Sequence, residues 1–362
     1  MEKYPLLEMN LSKFYGNAKI VTKLCKESNV NVAGIIKGFG GIYECAVEMV
    51  KGGCAQIGSS RIEQLRELKE KGINVPLMLV RIPMKCEIED VIRYSDICLV
   101  SEKVTLKYLN DEAKKLNKKY KVILMYDLGD LREGVISKEE LLELSIYTEY
   151  QLEYIELEGI GTSLSCYGSV APTKENLNEL CIAAELIENN INRSLNIVSG
   201  GSTTTLPLVV NGVLPKKINH LRLGESISNT QDLPMHWECC IEGLDPNTFI
   251  LKSQIIELNY KPTYPIGILK FDSFGEAGNY VDNGIRKRAI IALGNQDVGD
   301  CFKLIPLDKE MKILGASSDH TILDIHDCKN DYKLGDVVGF HVLYEPMLFS
   351  SLSGYVHKKF VR

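Results

Sequence analysis

Asn31-Val32-Ala33-Gly34-Ile35-Ile36-Lys37-Gly38-Phe39-Gly40-Gly41 joins a short apolar run to a lysine and then to a glycine-rich loop. The run predicts a buried strand that ends next to Lys37. A lysine reacts with an aldehyde cofactor only after losing its proton, and partial desolvation at a strand end lowers its pKa. The alternative for this segment alone is a lysine whose stem lies along apolar surface while its ammonium reaches water.

Seven further apolar runs follow the first along the chain, and helical patterns separate them. The predicted strands are 31–36, 55–58, 76–80, 96–99, 121–126, 155–160, 195–198 and 219–223. Short, continuously apolar strands are typical of a parallel sheet that is covered on both faces. Eight strands alternating with helices predict a (β/α)8 barrel, and an open doubly wound sheet is the competing arrangement.

Helix boundaries are predicted from serine and asparagine residues that precede amphipathic segments. Helices are expected at 11–28 after Asn10, at 60–71 and at 101–118. Ser60 and Ser101 are the predicted N-caps of the last two, since a serine hydroxyl can accept a hydrogen bond from the first turn.

The pattern changes to alternating apolar and polar residues after about residue 230. Strands are predicted at 249–258, 288–294, 311–315, 320–325 and 337–343. The 362 residues therefore divide into a barrel at 10–232 and a β-rich C-terminal domain at 233–362, with residues 1–9 as a candidate part of the second domain.

Composition excludes several classes of function. Basic and acidic side chains, 42 and 48 of them, are mixed along the chain, so no basic stripe is offered to nucleic acid. No run of apolar residues is long enough for a transmembrane helix, and the N-terminal residues lack the apolar core of a signal peptide. The 11 cysteines include no CxxC pair with zinc spacing, which predicts no metal site. Cysteines within apolar runs predict buried free thiols in a cytoplasmic protein; these are Cys25, Cys45, Cys54, Cys98 and Cys181.

Unusual polar residues cluster at the carboxyl ends of the predicted barrel strands, the face on which such barrels build active sites. The segments are Lys37, Asp127–Arg132, Ser199–Thr204 and Arg222–Ser226. The loop Ser199-Gly200-Gly201-Ser202-Thr203-Thr204 brings glycines and hydroxyls to a helix start, which predicts a phosphate site together with Gly224 and Glu225. The alternative for this loop is a tight turn in which Ser202 or Thr203 caps the helix.

Two arginines are placed at the same mouth. Arg222 is interpreted as the partner of a cofactor ring nitrogen, which a guanidinium would leave unprotonated, or alternatively as an ion-pair partner of Asp127 or Glu225. Arg132 is interpreted as a donor to a phenolic oxygen or a substrate carboxylate, or alternatively as a surface arginine beside Asp130 and Glu133.

With a lysine, a phosphate loop and arginines at one barrel mouth, the chain resembles the alanine racemase superfamily of fold-type III pyridoxal-phosphate enzymes. Asp127-Leu128-Gly129-Asp130-Leu131-Arg132 is similar to the family's Asp-Thr-Gly-Met-x-Arg segment, and Arg222-Leu223-Gly224 to its Arg-x-Gly. The resemblance implies pyridoxal 5'-phosphate as the cofactor, Lys37 as the lysine that binds it, and a homodimer with a shared active site. The implied cofactor contacts are Arg132, Ser202, Thr203, Arg222, Gly224, Glu225 and Tyr355.

Within the superfamily the chain is most similar to ornithine racemases. The matching runs are Arg81–Met84, Asp127–Gly134, Cys166–Gly168, Val198–Gly201, Gly284–Ala289 and Leu314–His320. This similarity implies racemisation of ornithine or another basic amino acid. The loop Gly38–Gly41 differs, which leaves the substrate open.

Racemisation needs a proton carrier on each face of the substrate's Cα, and Lys37 would serve one face. Alanine racemases supply a tyrosine for the other face from a Gly-Tyr-x-Asp-Gly segment of the partner subunit. The similar stretch here is Gly294–Gly299, in which Asn295 replaces the tyrosine. The candidates for the second carrier are Asp297, Asp319, His320 and Cys166, and Asp319 is also a candidate for holding a distal ammonium.

Two other functions compete with a racemase. A basic-amino-acid decarboxylase of the same architecture would carry a Cys-Gly-Glu-x-x-Asp type segment in the β domain, which this chain lacks. A non-catalytic pyridoxal-phosphate carrier would lack the second domain altogether.

Overall fold

The computed structural model describes residues 2–271 and 274–362. The chain divides into two compact units, Ser12–Asp245 and a second formed by Pro246–Arg362 together with the N-terminal residues up to Leu11. None of the helices in the described ranges is long and apolar enough to cross a membrane.

The strands are numbered in chain order over the described residues. They are β1 Leu6–Asn10, β2 Asn31–Ile35, β3 Gln56–Ser59, β4 Leu77–Leu79, β5 Ile97–Val100, β6 Tyr120–Met125, β7 Ile155–Gly161, β8 Ile197–Ser199, β9 His220–Leu223, β10 Phe249–Pro262, β11 Ile285–Ile291, β12 Leu304–Pro306, β13 Lys312–Ala316, β14 Thr321–Asp324, β15 Val337–Val342 and β16 His357–Val361.

The helices follow the same numbering. They are α1 Leu11–Glu27, α2 Tyr43–Lys51, α3 Ile62–Glu70, α4 Ile88–Tyr94, α5 Lys103–Lys115, α6 Lys138–Gln151, α7 Lys174–Ile191, α8 Leu206–Val210, α9 Glu225–Ser228, α10 Asp232–His236, α11 Asn295–Val298 and α12 Tyr344–Leu352.

The first unit is a closed parallel barrel of β2 to β9, which confirms the predicted (β/α)8 fold over the open sheet. Closure joins β2 to β9, with Ala33 opposite Arg222 and Gly34 opposite Leu223. One cluster of the buried core contains Met78, Ile97, Leu99, Ile123, Met125 and Ile197. Because both faces of these strands are covered, the sequence is continuously apolar along them.

A glycine fixes how closely two barrel strands approach. A Cβ at Gly159 on β7 would lie 1.8 Å from the carbonyl oxygen of Ile197 on β8. Any larger residue would have to separate the strands, so this position requires glycine.

The predicted helices are present, but the two serine caps are wrong. The N-cap of α3 is Arg61 rather than Ser60, and the N-cap of α5 is Glu102 rather than Ser101. Both residues are extended, so each helix begins one residue later than expected. The hydroxyl of Ser101 is buried without a hydrogen-bond partner.

The second unit is an antiparallel sheet in the order β12-β15-β10-β11-β14-β13, which confirms the predicted β-rich C-terminal domain. β1 joins this sheet, pairing antiparallel with β10 and parallel with β16. The five cysteines predicted to be buried are buried free thiols.

Candidate active site

Lys37 lies on a fixed turn at the carboxyl end of β2. It is the first residue of a 3₁₀ turn, Lys37–Phe39, that ends at Gly40 with φ of 68°, a conformation glycine adopts without strain. Phe39 is buried and packs edge-on against Phe14, with ring centroids 5.5 Å apart. The packing of Phe39 therefore holds the backbone that carries Lys37 in place.

The environment of Lys37 favours the neutral amine. No carboxylate among the described residues forms an ion pair or hydrogen bond with its Nζ. Burial lowers the pKa of Lys37; charge on Cys166 and on the carboxylate of Glu133 would raise it, while Arg132 and Arg222 lower it. The net direction is downward, which increases the fraction of nucleophilic amine at neutral pH.

Arg222 is a buried cation whose described partners are neutral. Nη1 donates to Ser199 Oγ at 2.5 Å, and Nη2 donates to the Thr162 carbonyl oxygen at 2.7 Å and to Ser163 Oγ at 3.1 Å. The alternative ion pairs with Asp127 and Glu225 are not formed among the described residues. Burial lowers the pKa of Arg222 to about 10, so the guanidinium is still cationic at neutral pH. Its charge is left available to an electron-rich group at the barrel mouth.

Arg132 forms the ion pair that the sequence left open. Its Nε lies 2.7 Å from Glu133 Oε2 and its Nη2 donates to Oε1 at 2.9 Å. Ser163 also donates to Glu133 Oε1, at 2.8 Å, and itself accepts from Arg222. The two arginines are therefore connected through one serine and one glutamate.

The loop that carries Cys166 is organised by Asp130. The carboxylate of Asp130 is fully buried and accepts the backbone N–H groups of Tyr167 at 2.9 Å, Cys166 at 3.2 Å and Val170 at 3.2 Å. Burial by itself raises the pKa of Asp130, but these donors lower it overall. The ionised carboxylate thus holds Cys166 on a defined loop next to Lys37.

The predicted phosphate loop follows β8. Ser202 precedes a short 3₁₀ turn, Thr203–Thr205, but its side chain does not cap that turn. Thr203 Oγ1 instead accepts the backbone N–H of Ser226, at 3.2 Å. Within the described residues, the backbone N–H groups of Ser202, Thr203, Thr204 and Glu225 have no acceptor. These donors are available to an anion between two adjacent loops.

Glu225 is a mostly buried carboxyl group without a cationic hydrogen-bond partner in the described chain. Asn229 Nδ2 donates to its Oε1 at 3.5 Å. Burial, and secondarily the carboxylate of Asp232, raise the pKa of Glu225 to about 8. The folded protein therefore binds a proton here that the unfolded chain releases near its ordinary value of 4.5.

Glu225→Gln should make the stability of the cofactor-free protein less sensitive to alkali. Because the folded pKa lies above the unfolded one, this site's contribution is complete below about pH 4.5 and is lost as the pH rises to about 8. The loss amounts to a few kcal/mol at most, on the order of 1.4 kcal/mol per pKa unit. Thermal unfolding of both proteins should show a Tm difference in favour of the variant that grows between about pH 5 and 8.5. A Tm difference independent of pH would contradict the raised pKa.

The remaining predicted site residues lie in the β-rich unit. Asp297 is 4% exposed, and its Oδ1 accepts from Ser353 Oγ at 2.9 Å. Asp319 and His320 are about half exposed and pair with each other, Nδ1 to Oδ1, at 3.1 Å. Tyr355 is 75% exposed. These four residues thus belong to the β-rich unit, whereas the other predicted site residues belong to the barrel unit.

Residues that connect the barrel set were missed in the sequence. Ser163 connects Arg222 to Glu133, which the sequence had offered only as a neighbour of Arg132, and His220, the first residue of β9, contacts Ser199. The only sequence signal was the presence of polar residues at the ends of otherwise apolar strands.

Comparisons with known proteins agree with this arrangement. The profile described as "Alanine racemase, N-terminal domain" matches residues 9–230. Ornithine racemase of Acetoanaerobium sticklandii is 41% identical over 98% of this chain and 99% of its own length. Lysine racemase of Thermotoga maritima is 37% identical over 98% of both chains.

The fold has solved counterparts. Alanine racemase of Clostridium difficile 630 superposes with a TM-score of 0.73 at 20% identity, over 100% of this chain and 97% of the other. Alanine racemase of Streptomyces lavendulae gives a TM-score of 0.75 at 14% identity, over 99% and 97%. With a family profile covering the barrel and full-length relatives above 30% identity, the chain belongs to the alanine racemase family.

Proposed function

We propose that this protein is a pyridoxal-phosphate-dependent racemase of basic amino acids such as ornithine and lysine. The observation that carries the proposal is the position of Lys37, largely buried without an ion-pairing carboxylate and close to the buried cation of Arg222, whose hydrogen-bond partners are neutral. The full-length similarity to an ornithine racemase and a lysine racemase supports the substrate class.

The residues at the barrel mouth fit the cofactor. Lys37 offers an amine to its aldehyde, the free N–H groups of Ser202–Thr204 and Glu225 suit its phosphate, and Arg222 suits its ring nitrogen. When bound, pyridoxal phosphate withdraws electrons from the substrate's Cα and so acidifies the hydrogen there. Since Arg222 has no proton-accepting atom, it would leave the ring nitrogen unprotonated and limit that withdrawal.

Lys37 would move a proton on one face of Cα. Its lowered pKa would suit an amine that accepts and returns a proton near neutral pH. The side chain of Arg132 is 40% exposed and forms an ion pair with Glu133. We assign it the role of donor to the substrate carboxylate or to the cofactor's phenolic oxygen.

The opposite face requires a second proton carrier. Cys166 on its Asp130-held loop, Asp319 and His320 are the exposed candidates, whereas Asp297 is engaged with Ser353. We further propose that a second copy of the chain completes the site, as the family resemblance implies, and that Asp319 holds the distal ammonium of the substrate. Substituting Asp319→Asn should then raise KM for ornithine more than for alanine, and equal changes would contradict this role.

Incubation with single amino acids tests the proposal. The purified, cofactor-loaded protein should convert L-ornithine or L-lysine to a racemic mixture with a kcat/KM at least about tenfold above that for L-alanine, since a matched ion pair is worth about 1.4 kcal/mol or more. Chiral chromatography measures the products, and light scattering of the same sample should give twice the 40.5 kDa chain mass.

Three outcomes would contradict it. Release of CO2 would indicate a decarboxylase, cofactor binding without exchange of the Cα hydrogen in D2O would indicate a carrier, and equal kcat/KM for alanine would remove the preference for basic substrates.

A further inference from the structure

A series of hydrogen bonds leads from Arg222 to His220 and Gln56, the first residues of β9 and β3. Arg222 Nη1 donates to Ser199 Oγ at 2.5 Å, Ser199 Oγ lies 2.9 Å from His220 Nδ1, and His220 Nε2 lies 3.2 Å from Gln56 Oε1. Ser199, His220 and Arg222 are 0%, 2% and 6% exposed, so solvent does not compete for the contacts among these three residues, and the contact with Gln56 is partly buried.

The donor and acceptor in each contact can be assigned. A guanidinium only donates, so Ser199 Oγ accepts from Arg222. Gln56 Oε1 can only accept, so the hydrogen in its contact with His220 lies on Nε2. In a neutral imidazole Nδ1 is then unprotonated, and it accepts the hydroxyl hydrogen of Ser199. Each group therefore has one role, and the chain has one direction.

The assignment requires a neutral imidazole, and the surroundings of His220 provide it. Burial, with the cation of Arg222 as a second cause, lowers the pKa of His220 to about 3. The imidazole is neutral at any pH at which the protein is expected to work, so it can accept from Ser199 throughout that range.

We propose that the Gln56–His220–Ser199 chain is a positioning device that fixes the guanidinium of Arg222, with His220 as the neutral Nε2–H tautomer. The role of Arg222 as a cofactor contact rests on the proposed function, but the tautomer of His220 does not. Ser199, at the end of this chain, accepts one N–H of Nη1, while Thr162 and Ser163 accept from Nη2. With both nitrogens held, the plane of the guanidinium cannot rotate, and Nε keeps one orientation.

Four variants separate positioning from bulk packing. His220→Leu removes the acceptor for Ser199, and His220→Asn retains an amide oxygen near the position of Nδ1. Ser199→Ala breaks the link while leaving His220 in place, and the double variant Ser199→Ala with His220→Leu tests whether both act through one path.

Losing one link should cost about tenfold in kcat with KM nearly unchanged, because a hydrogen bond of this kind contributes about 1 to 1.5 kcal/mol. We expect this loss in His220→Leu and Ser199→Ala, and recovery to within about threefold in His220→Asn. The double variant should be no slower than Ser199→Ala. The absorption band of bound pyridoxal phosphate should change in the two impaired variants and return in His220→Asn.

Selective ¹⁵N-histidine labelling reads the tautomer without turnover. Of the 6 histidine signals, the one absent in His220→Asn should show the neutral Nε2–H form in wild type. A protonated imidazole or the Nδ1–H form would overturn the inference. So would a double variant in which the two losses of kcat add, or a kcat of His220→Asn no higher than that of His220→Leu. If wild type racemised no amino acid, the proposed function would fail. The tautomer of His220 and the absorption band of bound pyridoxal phosphate would still test the hydrogen-bond chain. If His220→Leu failed to fold, Ser199→Ala, His220→Asn and the wild-type tautomer would decide.

Discussion

Lys37→Ala should lower racemase activity by about 10⁴-fold or more, because one side chain would provide both cofactor attachment and proton transfer. Burial favours the neutral form of its amine, and no carboxylate among the described residues forms an ion pair with it. Borohydride reduction of the loaded wild-type protein should fix the cofactor to the peptide containing Lys37, and mass spectrometry should find no such adduct in the variant. Activity is measured on L-ornithine in both proteins.

Two companion variants sharpen this result. Lys37→Arg keeps a cation but cannot supply a neutral amine at ordinary pH, so it should be as inactive as Lys37→Ala. Lys217→Ala removes a barrel lysine that is paired with Glu188 at 2.6 Å, and it should retain activity. An adduct on another lysine, or activity in Lys37→Ala within tenfold of wild type, would contradict the assignment.

The barrel could be predicted from sequence because its signal is local. Each strand is a short apolar run ended by polar or glycine residues, and each helix repeats apolar residues with helical spacing. Lys37 and Arg222 could be proposed as site residues because both lie at the carboxyl ends of barrel strands, where sites in such barrels form. The β-rich unit was recognised from its alternation, but β1 and β16 were not, since their pairing joins opposite ends of the chain.

The contacts of the site could not be predicted in the same way. Ser60 and Ser101 fit the capping pattern, yet each helix begins one residue later. For Arg222 the sequence offered a cofactor nitrogen or, as the alternative, an acidic partner, but it did not indicate the hydroxyl and carbonyl oxygens from residues about 20 and 60 positions away that surround it in the fold. Such partners depend on the register of neighbouring strands, and no local pattern encodes that register.

Arg222→Gln should combine the second-largest loss of activity with a loss of stability. The shorter side chain cannot reach Ser199, Thr162 and Ser163 together, so the buried Thr162 carbonyl loses its donor. Unfolding free energy should fall by about 1 to 3 kcal/mol, the usual cost of leaving a buried polar group unsatisfied. Activity should fall by about 10² to 10³-fold, since a preorganised charged donor at a reacting group is worth about 3 to 4 kcal/mol. Denaturant unfolding and kcat/KM on L-ornithine measure the two effects.

The pH profile separates an electrostatic role from simple loosening of the barrel. Arg222 is one of the cations that lower the pKa of Lys37, after burial and Arg132. Removing it should therefore raise the pKa of Lys37 and move the rising limb of the activity profile toward higher pH. Arg193→Gln is the matched control, since Arg193 is a half-exposed barrel arginine paired with Glu149 at 2.5 Å, and such pairs contribute about 0 to 1 kcal/mol. If Arg222→Gln lost stability but kept its kcat and its pH profile, Arg222 would act only in packing. A charge that acts on the reacting lysine cannot be removed without moving the rising limb of the activity profile.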